Sequence, residues 1–178
     1  MSDKQRILIA DDSEMNRAIL TEMLGEKYEI LEAENGQQAI EMIEQNSDID
    51  LLLLDIMMPV KDGFDVLAAM NQYHWIDELP VIMISAESAT SFVERAYDLG
   101  ATDYISRPFD MAVVRRRVVN ALMLYGKQKR LMQLVADQIY ENEKSNSLMI
   151  TILSHIVEFR NGESGLHVLH IRTFTEMI

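Results

Sequence analysis

Three carboxylates define the chemistry this sequence could perform. Asp11 and Asp12 are adjacent at the end of the apolar run Arg6-Ile-Leu-Ile-Ala10, and Asp55 closes the run Leu51-Leu-Leu-Leu. If the two runs are neighbouring strands of a parallel sheet, three like charges converge at one edge and raise one another's pKa values. A hard divalent cation is the natural compensation. Mg²⁺ takes oxygen ligands, keeps several waters and often shares its shell with a phosphate. A carboxylate beside such a metal can attack a phosphoryl donor and become an aspartyl phosphate, while the metal and a nearby cation neutralise the transferring oxygens. The competing reading is that Asp11, Asp12 and Ser13 only cap the following helix. Capping accounts for one of them and leaves Asp55 unexplained, because a carboxylate ending a four-leucine run is costly unless something uses it.

The elements that must position these groups alternate between two periods. Apolar runs at Arg6–Ala10, Tyr28–Ala33, Leu51–Asp55, Pro80–Ser85 and Asp103–Ile105 read as strands. Helical spacing follows each of them: Glu14–Leu24 with Gly25 as a stop, Gln37–Gln45, Phe64–Met70, Thr90–Leu99 before Gly100, and a helix starting near Asp110. Strands apolar throughout, alternating with helices of about three turns, predict a parallel sheet covered on both faces. The fold class expected is therefore α/β, a doubly wound, flavodoxin-like sheet of five parallel strands with a long helical extension. In such sheets the site lies beyond the carboxyl ends of the strands. Asp11, Asp12, Asp55, Ser85 and Arg107 all fall there.

Composition narrows the possibilities further. The 178 residues include 48% hydrophobic and 25% charged side chains, ordinary for a globular chain. Cysteine is absent, which excludes disulfides, thiolate metal sites and a cysteine nucleophile. The charged start Met1-Ser-Asp-Lys-Gln-Arg6 lacks the apolar core of a signal peptide, and no apolar stretch approaches the ~18–20 residues of a membrane span. Residues 1–120 hold 10 basic and 23 acidic side chains, the whole of the −13 net charge, whereas residues 121–178 hold 6 of each. Excess acid argues against nucleic-acid binding by the first part. A soluble, cytoplasmic protein with no nucleic-acid or membrane partner is expected, with a domain boundary near residue 120.

In order and spacing, residues 1–120 resemble the receiver domain of two-component response regulators. The matching residues are Asp11-Asp12, Asp55 followed by Met57-Met58-Pro59 and Asp62-Gly63, Ser85-Ala86, Gly100-Ala101, and the stretch from Tyr104 to Pro108. The resemblance implies that Asp55 accepts a phosphoryl group from a sensor histidine kinase or a phosphotransfer protein. It implies that Asp12, Asp55 and the backbone carbonyl of Met57 hold Mg²⁺ and that Asp11 holds it through water. Ser85 would hydrogen-bond the phosphoryl group, and Tyr104 would turn inward as it does so. The family has Lys immediately before the proline, whereas this chain has Arg107. The swap keeps the charge but replaces a compact ammonium with a larger planar fork.

Beyond residue 120 the pattern changes. From Ala112 to Leu153 there is no proline and one glycine, Gly126. A heptad seam runs through Val118, Ala121, Tyr125, Gln128, Met132, Val135, Ile139, Asn142, Asn146, Met149 and Leu153, with no charged member. Residues 121–153 are read as a helical linker and coiled coil that forms a homodimer. Residues 154–178 resemble the opening of an HD-GYP phosphodiesterase domain, in which Glu163-Ser-Gly165-Leu-His167 matches an early metal-ligand element. Glu163 and His167 are its candidate ligands, while His155 and His170 read as packing or surface residues. No His-Asp doublet and no Gly-Tyr-Pro occur, so this chain is not expected to be an enzyme. Its end inside a helical pattern is read as an incomplete output domain, and the activity would belong to a longer parent.

The leading functional expectation is a phosphorylation switch relayed through the helix to dimerisation and an output domain. The alternatives are a phosphorylation-independent pseudo-receiver scaffold, and a fragment of a cyclic-di-GMP phosphodiesterase that retains some metal binding.

Overall fold

The computed structural model describes residues 4–86 and 90–161, the last four by backbone alone. The chain divides into two compact units, Met1–Lys129 and Arg130–Ile178.

The first unit alternates strand and helix. The strands are β1 (Arg6–Ala10), β2 (Glu29–Ala33), β3 (Leu51–Asp55), β4 (Val81–Ser85) and β5 (Asp103–Ser106). The helices are α1 (Glu14–Leu24), α2 (Gly36–Gln45), α3 (Gly63–Gln72), α4 (Thr90–Asp98) and α5 (Met111–Asn161), with a 3₁₀ turn at Trp75–Asp77. All pairings are parallel, in the order β2-β1-β3-β4-β5. The expected doubly wound, flavodoxin-like sheet is therefore present, with β1 and β3 flanking the point where the strand order reverses.

Alternate side chains of each strand enter two separate cores. Leu8, Leu52, Leu54, Val81 and Met83 pack against α2, α3 and α4 through residues such as Ala39, Ile43, Leu67, Met70 and Ala96. Ile7, Ile9, Leu51, Leu53, Ile82 and Ile84 face α1 and α5 through Leu20, Leu24, Val114, Val118 and Ala121. Burying both faces explains why the strands read as unbroken apolar runs. All four leucines of β3 have no exposed surface, each worth about 1.5–3 kcal/mol of burial. That fixes the centre of the sheet and with it the depth of Asp55.

The helix starts are set by local polar chemistry. Ser13 caps α1, its Oγ accepting from the Asn16 N–H, and Asn35 caps α2 by accepting from the Gln38 N–H. Asp62 and Asp65 form a reciprocal capping box at α3.

Helix α5 is continuous over Met111–Asn161, and the heptad reading needs amendment at its start. Val118 and Ala121 belong to the core beneath the sheet rather than to a helix–helix seam. Tyr125, the next seam position, lies within hydrogen-bonding distance of the Thr102 hydroxyl, O···O 3.4 Å. Past that point the apolar positions are exposed: Met132, Val135, Ile139, Met149 and Leu153 on the seam, with Leu131, Leu134, Leu148 and Ile152 beside them. Among the described residues no helix is long and apolar enough to cross a membrane.

Candidate functional site

The strand register brings the three carboxylates together. Ala10 is paired with Leu54, so Asp11 and Asp55 both end up at the carboxyl edge of adjacent strands. Oxygen atoms of Asp11, Asp12 and Asp55 all lie within 4.8 Å of one another. Asp11 and Asp55 are buried and Asp12 is exposed.

Asp11 is held on every side. Its Oδ1 accepts from the Ser13 N–H at 2.9 Å and from Asn16 Nδ2 at 3.0 Å; its Oδ2 accepts from Asn16 Nδ2 at 3.2 Å and from Arg107 Nη2 at 2.5 Å. Its backbone carbonyl accepts from Arg17 Nη1 at 2.9 Å. Arg17 is itself buried, and Glu32 and Glu34 neutralise it at 2.9 and 3.4 Å. Asn16 and Arg17 are positioning residues that the sequence reading missed. Their signal was present, since Asn16 and Arg17 occupy the first turn of the helix that Asp11 precedes, where side chains reach back toward the strand end.

Asp55 is less well served. Its Oδ2 accepts from Arg107 Nη2 at 3.0 Å, whereas its Oδ1 is buried without a hydrogen-bond partner. Burial pushes the Asp55 carboxyl above the ordinary carboxylate value; Arg107 pulls it back, and Asp11 adds to the rise. Gly63, at the start of α3, lies against this residue, and a Cβ there would be 2.3 Å from the Asp55 carbonyl oxygen. The loop between them turns at Val60, whose φ of 69° is strained for a β-branched residue, and closes with Lys61 N–H donating to the Pro59 carbonyl at 2.8 Å.

Of the other predicted site residues, Ser85 and Arg107 flank this pair. Ser85 is buried at the end of β4, the strand paired with β3 so that Asp55 stands opposite Ile84. Its carbonyl accepts from the Arg107 N–H at 2.9 Å. Met57 is exposed in the loop after β3. Tyr104 is half-buried on β5, packed against the core shared with α2, α3 and α4. Arg107 reaches both buried carboxylates with one nitrogen, and its Nε is buried without a partner. His155 is exposed on α5. Glu163, His167 and His170 lie outside the described residues.

The donor set suits a hard divalent cation. Three carboxylates offer oxygen ligands within bridging distance of one ion, and the unpartnered Oδ1 of Asp55 is a buried acceptor that an ion would satisfy.

The response regulator receiver domain family matches residues 7–119, most of the first unit. The chain belongs to this family. The receiver is 39% identical over 106 residues to the transcriptional regulatory protein CpxR of Escherichia coli K12, covering 59% of this chain and 44% of CpxR. A longer match, 28% identical over 179 residues, is to a probable cyclic di-GMP phosphodiesterase of Vibrio cholerae serotype O1 and covers 97% of this chain and 40% of that protein. Among solved structures, the receiver is similar to a chain in the CheX–CheY–BeF₃–Mg²⁺ complex of Borrelia burgdorferi. The identity is 33%, the TM-score is 0.59, and 65% of this chain and 87% of that one are covered. The chain spans about half or less of the length of the curated relatives it matches. Receivers of this family act in two-component signalling and partner with histidine kinases or phosphotransfer proteins; they are not in general enzymes. The cluster of Asp11, Asp12 and Asp55 is compatible with Mg²⁺.

Proposed function

We propose that this receiver accepts a phosphoryl group on Asp55 with the help of Mg²⁺ and passes the change through α5 to an output domain. The observation that carries the reading is the buried, unpartnered Oδ1 of Asp55 beside Asp11 and Asp12. A buried acceptor without a partner costs about 1–3 kcal/mol, so its persistence at a strand end points to chemistry rather than stability. In the transfer from a phosphohistidine, an Asp55 oxygen forms a bond to phosphorus as the N–P bond breaks and its electron pair returns to the ring; with a proton on the other ring nitrogen, the donor leaves as a neutral imidazole.

Asp12, Asp55 and the Met57 carbonyl would hold the ion, with Asp11 engaging it through water. When bound, Mg²⁺ supplies neutralisation of charge on the transferring oxygens. Ser85, buried at the end of the neighbouring strand, would hydrogen-bond the phosphoryl group. Tyr104, half-buried on the next strand, is the side chain that would move with it. Intact mass after incubation with acetyl phosphate and Mg²⁺ tests the reading. A single phosphoryl adduct, absent in Asp55→Asn, is expected; an adduct that persists in Asp55→Asn would overturn it.

A second reading, a phosphorylation-independent scaffold, draws on Arg107 already lying across Asp11 and Asp55. Under either reading the exposed apolar positions of α5 from Met132 to Leu153 support a homodimer formed through that helix. The match of 97% of this chain to 40% of the Vibrio cholerae protein supports a cyclic-di-GMP phosphodiesterase as the output of a longer parent, with Glu163 and His167 as early metal ligands of that domain.

A further inference from the structure

The Mg²⁺ site proposed above already contains a cation. Arg107 Nη2 lies 2.5 Å from Asp11 Oδ2 and 3.0 Å from Asp55 Oδ2, so a single guanidinium nitrogen spans the two buried carboxylates that an ion would have to draw together. A carboxylate has about four lone-pair directions. Asp11 has all of them engaged, by Ser13, by Asn16 at both oxygens and by Arg107. Arg107 reaches this position at a cost, since its own Nε is buried without a partner. The two carboxylates must compensate for that cost. A divalent ion placed among the same oxygens would sit against a fixed positive charge and would find no vacant lone pair on Asp11.

We propose that Arg107 is a resident counter-ion that must withdraw before Mg²⁺ can bind, so that it sets the metal threshold of this receiver. The inference rests on the Mg²⁺ reading of the site. Withdrawal has a short route, because the Arg107 side chain is already 22% exposed and its guanidinium carbon already lies over the Phe109 ring, 5.8 Å from the centroid, a cation–π contact that it need not give up on leaving the carboxylates. The consequence is a reciprocal competition. Mg²⁺ weakens the hold on Arg107 by the same factor that Arg107 weakens the hold on Mg²⁺.

Isothermal titration of the full chain with MgCl₂, comparing the wild type with Arg107→Gln and Arg107→Lys, tests this. Arg107→Gln should bind Mg²⁺ tighter by roughly tenfold or more, and Mg²⁺ should raise its melting temperature more than that of the wild type. Arg107→Lys, which keeps a cation on a shorter side chain that cannot place its nitrogen where Nη2 bridges Asp11 and Asp55, should also bind more tightly than the wild type. If Arg107→Gln folds only with Mg²⁺ present, the ion is replacing the lost guanidinium and the proposal stands. If it folds under neither condition, Arg107→Lys decides. Equal or weaker Mg²⁺ binding in the folded variants would overturn the proposal while leaving the metal reading intact. Absence of Mg²⁺ binding at millimolar concentration in all three proteins would remove the metal reading itself, and the proposal with it.

Discussion

Asp55→Asn should stabilise the metal-free protein at neutral pH, although it removes the residue on which the proposed function depends. Two buried carboxylates, Asp11 and Asp55, share one guanidinium, so the wild type carries one buried negative charge in excess. Asparagine keeps a carbonyl oxygen able to accept from Arg107, and Arg107 keeps its 2.5 Å contact with Asp11. What is lost is the surplus charge, and the amide nitrogen that takes the place of the unpartnered Oδ1 is a donor among the oxygens of Asp11 and Asp12. Relief of an uncompensated buried charge is worth about 1–3 kcal/mol, or roughly 3–10 °C in Tm for a unit of this size. The pH dependence has a definite sign. Burial raises the Asp55 pKa in the folded state, so between the unfolded value of about 3.9 and the folded value only the folded chain holds the proton. Stability contributed by this group therefore falls as pH rises through that window and is flat above it. Urea unfolding in EDTA, followed by the fluorescence of Trp75, the only tryptophan, reports on the unit that contains the site. The gap between Asp55→Asn and wild type should widen as pH rises above the unfolded value of about 3.9 and level off above the raised folded value. Equal midpoints at neutral pH, or a gap that does not change with pH, would refute the reasoning.

Gly63→Ala should be disproportionately damaging for so small a change. Its Cβ would meet backbone atoms, 2.3 Å from the Asp55 carbonyl oxygen and 3.0 Å from Ile56 Cα, so a loss of about 1–3 kcal/mol is expected, together with slower phosphoryl uptake; unchanged urea midpoints would contradict the close approach. Along α5, residues Glu141 to Ser147 form a heptad without a single apolar side chain, between the apolar blocks 131–140 and 148–157. Asn142→Leu with Asn146→Leu should tighten self-association, read as a lower dimer dissociation constant by sedimentation equilibrium; weaker association would place the interface elsewhere.

The sheet was legible because both its faces are buried, which leaves strands with no polar interruption until they reach the carboxyl edge. That same edge made Asp55 legible, since a carboxylate after four buried leucines has no structural use. Element ends shifted by one or two residues, as at Gly63–Gln72, where the Asp62–Asp65 capping box fixes the start of the helix. The seam misread at Val118 and Ala121 has a physical cause. Over three or four turns a coiled-coil stripe and a sheet-facing stripe nearly coincide, because periods of 3.5 and 3.6 diverge by only about 20° per heptad. The sequence also flagged Arg107 as a departure, but not which carboxylate it would reach. That depends on the length of a flexible side chain and on Asn16 and Ser13 having filled the other lone pairs of Asp11.

Arg107 also links the site to α5 within the receiver. It directly follows β5, whose first residue, Asp103, is paired with Arg117 of α5, and Thr102 just before it lies 3.4 Å from the Tyr125 hydroxyl. A cation that leaves the site therefore does so from a segment tied at its other end to the helix that carries the exposed apolar positions. Contiguity of this kind does not by itself transmit a signal; coupling requires an element with two arrangements that both ends bias. Under the competition proposed above Arg107 would supply one, engaged across Asp11 and Asp55 as observed or withdrawn from them, and a metal ion or a phosphoryl group at Asp55 would favour different members of that pair. The substitution that looked like a defect in the family pattern is thus better understood as the place where metal and phosphoryl group would compete for the same charge.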